Sequence, residues 1–364
     1  MEKKQKLIVL SADAMVYEDL AYLETLPNFR KYLSGGCRIE KVRSIYPTIT
    51  YACHATMASG VYPDKHGLAG NLNFVPGNLT PPWHWFYDEL HFKENIFKSA
   101  KKAGYSTAAV YWPSTGGNPY IDYLIDEYWT QGPEDTIPEA YARSGSSPEV
   151  VEIIRQHMDG VVLRSHPNSD YFAMGCALDI LAKYAPDLMM IHPANIDGLR
   201  HRTGVFSQAV RDEVKRTDDW IGQLMETVER NGDLDVTNFV LTSDHGQLNI
   251  VRTVNLNVFL ADAGLITVGP EGEFLDWQAY CLSGGLSGLV YLKDPADQVL
   301  YEKVYRLLNH MRDEGIYGIS QVFTREEFRK LHLDGEFSFV IEADGYTSFG
   351  DRWTRPVVLD RNNN

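Results

Sequence analysis

Leu7-Ile8-Val9-Leu10-Ser11-Ala12-Asp13 is a short apolar run that ends on small and acidic residues. Too short for a helix and bounded by polar residues, it reads as a central strand of a parallel sheet, buried on both faces. The basic start Met1-Glu2-Lys3-Lys4-Gln5-Lys6 ahead of it imitates an export signal. Four apolar residues fall short of the roughly 7–15 that such a signal needs, so the strand reading holds and a cytoplasmic chain is expected.

Working outward, the same texture recurs. Thr107–Tyr111, Asp187–Ile191 and Asn238–Thr242 read as strands, with a further short one near Arg38–Ile45. Between them lie helical stretches: Glu18–Leu33 closed by Gly35-Gly36, Thr50–Ser59, Asn95–Ala103, Pro148–Leu163, Ser169–Tyr184 and Val205–Glu229. Alternation of this kind predicts an α/β fold, a mostly parallel sheet with helices on both faces. Residues 115–147, rich in Gly, Pro, Asp and Glu, read as a loop or insert. After about Asn249 the pattern changes to antiparallel texture around Gly284-Gly285, Gly288 and Val290–Leu292, then a helix over Ala296–Arg312. The expected organisation is an α/β core over 1–250, a smaller α+β lobe or cap over 251–335, and a return to the core over 336–364.

Composition narrows the function. The 364 residues suffice for two or three domains at about 150 residues each. The net charge of −15 repels nucleic-acid backbones and anionic membranes, so neither a nucleic-acid polymer nor a membrane is expected as partner. No run approaches the roughly 18 apolar residues of a membrane span. Cys37, Cys53, Cys176 and Cys281 are scattered, with no CxxC, and read as free buried thiols of a reducing compartment. Apart from the terminal Asn362-Asn363-Asn364 the chain has no low-complexity tract and no internal repeat.

Charged residues follow the strands. Asp13 follows the first, Asp197 and His201 follow Asp187–Ile191, and Asp244-His245-Gly246 follows Asn238–Thr242. In open α/β sheets ligands bind beyond the carboxyl ends of the strands, so these groups would meet at one edge. Each alone has a plainer reading: Asp13 as an N-cap or turn residue, Asp244-His245 as an ordinary loop. Asp197 and His201, four apart, share a helical face. Together they offer three carboxylates and two imidazoles, a donor set that suits Zn²⁺ or Mn²⁺ better than Ca²⁺ or Mg²⁺. In Tyr46-Pro-Thr-Ile-Thr50-Tyr51-Ala-Cys-His54, Pro47 keeps Tyr46 extended and a helix begins at Thr50. A Thr there is an N-cap in the plain reading. In the other it sits at an anion-binding helix start, as a nucleophile whose pKa a metal could lower.

These motifs carry a resemblance. Leu7–Asp13, Ile45–Asn71, Asp187–Gly204 and Phe239–Gly246, in that order, resemble the type I phosphodiesterase/nucleotide pyrophosphatase family of the alkaline phosphatase superfamily. Most specific are the Thr50 segment with Ser59-Gly-Val-Tyr-Pro-Asp-Lys-His66-Gly67, and the Asp197, His201, Gly204 set ahead of Asp244-His245-Gly246. The resemblance implies an alkaline-phosphatase-like sheet and a small-molecule phosphoester substrate. It implies two divalent ions, Zn²⁺ or alternatively Mn²⁺. One would be held by Asp13, Thr50, Asp244 and His245, the other by Asp197 and His201. Thr50 would be the nucleophile, phosphorylated or nucleotidylated during turnover, and Asn71 would support a phosphoryl oxygen. Tyr51 would line the leaving-group pocket, with Tyr111 and Trp112 as a further aromatic wall. His54 and His66 fall on family positions and are expected to be structural.

One feature departs from the family pattern. The family completes its second metal site with a His in a His-Gly context near the C-terminus, and after residue 300 only His310 and His332 occur, neither in that context. Either the chain is cut short or a third ligand comes from elsewhere, and the former is expected. Alternatives within the superfamily are a phosphonate or a phosphomonoester hydrolase. A sulfatase is disfavoured because its Cys/Ser-x-Pro-x-Arg signature is absent. A non-catalytic metal or nucleotide binder would need neither Thr50 nor Asn71.

Overall fold

Five strands form one parallel sheet: β1 (Lys6–Ser11), β2 (Thr107–Val110), β3 (Tyr123–Ile125), β4 (Leu188–Ile191) and β5 (Thr237–Thr242), in the order β3-β2-β4-β1-β5. The computed structural model describes residues 4–39 and 41–361. The Met1-Glu2-Lys3 part of the basic start and Asn362-Asn363-Asn364 lie outside them.

The sheet is two-sided because its side chains alternate. Ile8, Leu10, Ala108, Val110, Met189 and Ile191 pack with the helices Pro148–His157, Asn168–Tyr184 and Gln208–Arg230. Val9, Ala109, Leu188 and Met190 pack from the opposite face with Phe97 and Met57, which belong to the helices Ile96–Lys102 and Thr50–Ser59. This is the expected α/β architecture with helices on both faces. Its registers pair Leu10 with both Ile191 and Leu241, and Val110 with Ile191, so the carboxyl ends of the strands are level.

Several local expectations change. Glu18–Leu33 is not one helix: a short turn at Tyr17–Asp19 and the helix Leu20–Leu23 precede a separate helix, Pro27–Tyr32. Pro27 lacks an N–H to continue a helix but suits a first helical position. No strand occurs near 38–45 among the described residues, Glu40 lying outside them. The 115–147 stretch, read as loop or insert, supplies the edge strand β3 and the helix Ile137–Arg143. Of the four free cysteines three are buried, but Cys37 is exposed. No helix among the described residues is long and apolar enough to cross a membrane.

The chain divides into two units. The first runs to Val61 and resumes over His84–Gln247; the second comprises Tyr62–Trp83 and the chain from Leu248 onward. In the second, β6 (Arg252–Asn255), β7 (Ile266–Val268), β8 (Phe274–Trp277), β9 (Ala279–Ser283), β10 (Ser287–Leu292), β11 (Ile319–Thr324), β12 (Phe339–Ala343), β13 (Thr347–Gly350) and β14 (Val358–Asp360) form three small sheets. The largest is antiparallel, in the order β11-β12-β10-β9, covered by the helix Gln298–Glu314. Its β9–β10 hairpin turns where Gly284-Gly285 stand, as expected. Phe74, from the Tyr62–Trp83 stretch, stacks on Tyr291 at 3.6 Å between ring centroids. Residues 336–364 do not return to the parallel sheet: β12 pairs with β10 and β11, and β13 and β14 pair with β6.

Candidate active site

Because the five strand ends are level, the residues just beyond them gather at one edge of the first unit. They are Asp13 after β1, Tyr111 after β2, Asp126-Glu127 after β3, His192 after β4 and Asp244-His245 after β5. The helix Thr50–Ser59 starts at this edge. Its N-cap is Ile49 in an extended conformation with no side-chain cap, so the Thr50 hydroxyl is not used as an N-cap.

Thr50 Oγ1 lies 3.0 Å from His245 Nε2. The same nitrogen is 3.3 Å from Asp13 Oδ1 and 3.5 Å from Asp244 Oδ2. His245 Nδ1 donates to the Gly246 carbonyl at 3.0 Å, which leaves Nε2 as the ring nitrogen that faces Thr50, Asp13 and Asp244. Ser44 Oγ donates to the Asp244 carbonyl at 2.9 Å, and the Ala14 N–H reaches Asp244 Oδ1 at 3.3 Å. Ala14 sits in the left-handed region at φ 56, where a non-glycine residue is strained.

The electrostatics follow from burying two carboxylates side by side. Burial would raise Asp13, but the charge of His245 and the hydrogen bond from His192 hold it well below the usual carboxylate range. Burial and the Asp13 charge push Asp244 up. Burial alone would lower His192 and His245; Asp13 raises the first to about 10, and Asp244 with Asp13 raises the second to about 9. His54 goes the other way, held well below its usual value by burial and by the His192 charge.

The donors fit a divalent cation. Asp13 Oδ1 and Asp244 Oδ2 are buried without a hydrogen-bond partner. With His245 they form a group whose donor atoms all lie within 4.8 Å of one another. Two oxygens and one imidazole nitrogen match a borderline cation.

Of the residues expected from sequence, Asp13, Thr50, Asp244 and His245 are therefore brought together. Asp197 and His201 pair with each other at 3.4 Å on the helix Asn195–Thr203, with the His201 side chain 68% exposed. Gln247 Nε2 donates to Asp197 Oδ1, linking this pair to the Asp244 loop. Asn71 is carried by the second unit. Of the three aromatic residues expected near the leaving group, Tyr51 is 0%, Trp112 1% and Tyr111 6% exposed. Trp112 packs edge-on against His54, centroids 4.7 Å apart.

Three polar residues at this edge were not singled out from sequence. His192 contacts Asp13. Glu127 comes from the stretch read as insert; its Oε2 is buried without a hydrogen bond, and burial pushes its carboxyl up to about 7. Gln247 lies two residues past His245. A signal was available for His192, which directly follows β4, much as Asp13 lies two residues past β1.

A parallel sheet with acids, imidazoles and a helix-start threonine at its carboxyl edge defines an α/β protein with a candidate site at the ends of its strands. The chain belongs to the type I phosphodiesterase / nucleotide pyrophosphatase family, whose model matches residues 7–355. It is 25% identical over 338 residues to ectonucleotide pyrophosphatase/phosphodiesterase family member 7 of Rattus norvegicus, covering 90% of this chain and 66% of that one. It is also 25% identical over 264 residues to venom phosphodiesterase 2 of Crotalus adamanteus, covering 68% and 27%. The chain thus spans from about a quarter to just under two thirds of these relatives' length. Among solved structures, murine ectonucleotide pyrophosphatase/phosphodiesterase 5, an inactive variant in complex with AMP, shares the fold with a TM-score of 0.62 at 19% identity, over 98% of this chain and 83% of that one. Phosphonoacetate hydrolase from Sinorhizobium meliloti with phosphonoformate does so with a TM-score of 0.63 at 16% identity, over 98% and 86%.

Proposed function

We propose that the chain is a metal-dependent hydrolase of phosphodiester or pyrophosphate bonds in small nucleotide-type substrates, working through a covalent intermediate on Thr50. The 3.0 Å contact of Thr50 Oγ1 with His245 Nε2, where the Asp13 and Asp244 carboxylates also converge, carries this reading. Asp13, Thr50, Asp244 and His245 would hold one ion, and Asp197 with His201 would contribute to a second, Zn²⁺ or Mn²⁺ by donor type. Bound there, the ions would lower the pKa of the threonine hydroxyl and neutralise phosphoryl charge.

Thr50 Oγ1 attacks phosphorus in line, its hydroxyl proton passing to solvent. A P–Oγ bond forms, the bond to the leaving oxygen breaks, and that oxygen leaves with its electron pair and takes a proton from solvent. Water then attacks the same phosphorus from the opposite side, releasing the phosphoryl product and restoring the Thr50 hydroxyl. His245, oriented by its Nδ1–H donation to Gly246, keeps Nε2 toward Thr50 throughout. Asn71 would donate to a phosphoryl oxygen as charge builds on it.

Turnover of bis-p-nitrophenyl phosphate against mono-p-nitrophenyl phosphate and a phosphonate, with added Zn²⁺, tests the reading. Preference for the diester is expected. Preference for the monoester or the phosphonate would move the chain to another hydrolase class of the superfamily, and no turnover of any of the three would leave a binder.

A further inference from the structure

His192 lies just beyond β4, is 1% exposed, and belongs to neither set of metal donors in the proposed function. Its Nε2 is 3.1 Å from Asp13 Oδ2 and its Nδ1 is 3.1 Å from the Tyr111 carbonyl oxygen. Carboxylate and carbonyl oxygens only accept, so both ring nitrogens donate and neither keeps a lone pair for a cation. The Tyr111 carbonyl is held by backbone in the left-handed region, φ 57, a strained conformation for a non-glycine residue and the same device as at Ala14. Glu127 Oε2 stands 4.0 Å from Nδ1 on the same side.

The consequence falls on Asp13. With Oδ2 occupied by His192, only Oδ1 remains, buried without a hydrogen bond and 3.3 Å from His245 Nε2. We infer that His192 is a positioning residue, not a ligand: it clamps Oδ2 of Asp13 between two elements so that Asp13 presents Oδ1 alone to a divalent cation. The inference rests on the metal-dependent reading above. It also gives a role to a second group, His54, His192 and Asp244, whose donor atoms lie close enough to hold an ion. His54 Nδ1 faces the Thr50 carbonyl at 2.8 Å and its Nε2 faces Ser11 Oγ at 3.0 Å, so both its nitrogens are engaged. That group is a hydrogen-bonded support behind the cation site.

The test measures Zn²⁺ binding by calorimetry and chelator competition on the full chain after metal removal, for wild type, His192→Ala, His192→Gln and Asp13→Ala. Outer partners of metal ligands typically govern 10–100-fold in affinity. His192→Ala is expected to keep the wild-type number of ions but bind one of them roughly 10–100-fold more weakly. His192→Gln, whose amide nitrogen can donate to Oδ2 from the place of Nε2, is expected to recover most of that loss. Melting temperatures of the metal-free proteins identify a variant that does not fold, in which case the Gln variant alone decides. Loss of an ion in His192→Ala or His192→Gln as complete as in Asp13→Ala would make His192 a ligand and overturn the inference. So would unchanged affinity in His192→Ala, and so would a Gln variant no better than Ala. A wild type that binds no divalent ion would overturn the proposed function and this inference together. A wild type that binds ions normally, with His192→Ala unaffected, would overturn the inference alone.

Discussion

Thr50 Oγ1 and His245 Nε2 stand 3.0 Å apart although 195 positions separate them in the chain. Two local features make the contact usable. Ile49, not Thr50, is the N-cap of the helix, so the hydroxyl is available. The His245 Nδ1–H is spent on the Gly246 carbonyl, so Nε2 is the nitrogen that faces Thr50.

Thr50→Ala is expected to lower kcat by several orders of magnitude while melting temperature stays close to wild type and Asp13, Asp244 and His245 still retain metal, because the alanine removes the nucleophile and only one of the four donors proposed for that ion. Steady-state kinetics with metal analysis of the same preparation check this. Near-normal turnover in the variant would mean that water attacks the substrate directly.

Asp244→Asn leaves the side chain its size and removes its charge. Asp244 Oδ2 is buried without a hydrogen-bond partner beside Asp13 Oδ1. The substitution is therefore expected to relieve repulsion in the metal-free protein and to reduce bound metal. Elemental analysis of purified wild type and variant decides; equal metal content would remove Asp244 from the site.

Asn71 separates two roles by the choice of substitution. A donor to a developing phosphoryl charge is worth about 2.7–4 kcal/mol, or roughly 10²–10³ in rate. Asn71→Asp is expected to lose that much kcat with little loss of stability, since a carboxylate can still serve a turn but repels the phosphoryl oxygen. If kcat in Asn71→Asp stays normal while Asn71→Ala melts early, Asn71 is a loop residue only.

Asp351 gives a pH test independent of the site. Its Oδ1 accepts the Ser283 N–H at 2.7 Å, and burial raises its pKa from 3.8 to about 6. The folded protein thus holds this proton more tightly than the unfolded chain, so the contribution to stability is full below about pH 4 and is lost as pH rises through about 6. Asp351→Asn keeps an acceptor oxygen and removes the titration. Metal-free melts from pH 4 to 7 are expected to decline less in the variant, by up to about 3 kcal/mol at the upper end. Parallel declines would show that Asp351 does not carry the effect.

The amino-acid sequence by itself determined the strands β1, β2, β4 and β5, the helices Thr50–Ser59, Asn168–Tyr184 and Gln208–Arg230 within a residue or a few at their ends, and most of the acids and imidazoles that follow the strands, because these signals are local: an apolar run, a period, a residue just past a strand. The motif order from Leu7 to Gly246 likewise carried the family. What only the tertiary structure decided depends on strand order and register. Three-residue β3 lies in a Gly- and Pro-rich stretch and becomes a strand through pairing with β2, and with it Glu127 reaches the edge. The contact of His192 with Asp13 spans 179 positions and exists because β4 lies beside β1 with Leu10 opposite Ile191. How deeply Tyr51, Tyr111 and Trp112 are buried is likewise a matter of packing that no local pattern specifies. Residues 336–364 pair with β6, β10 and β11, antiparallel except for the parallel β13–β6 pair, and no pattern within those residues names those partners. Local sequence sets which residues form an element and which follow it, whereas hydrogen-bonded register between distant strands sets which of those residues meet.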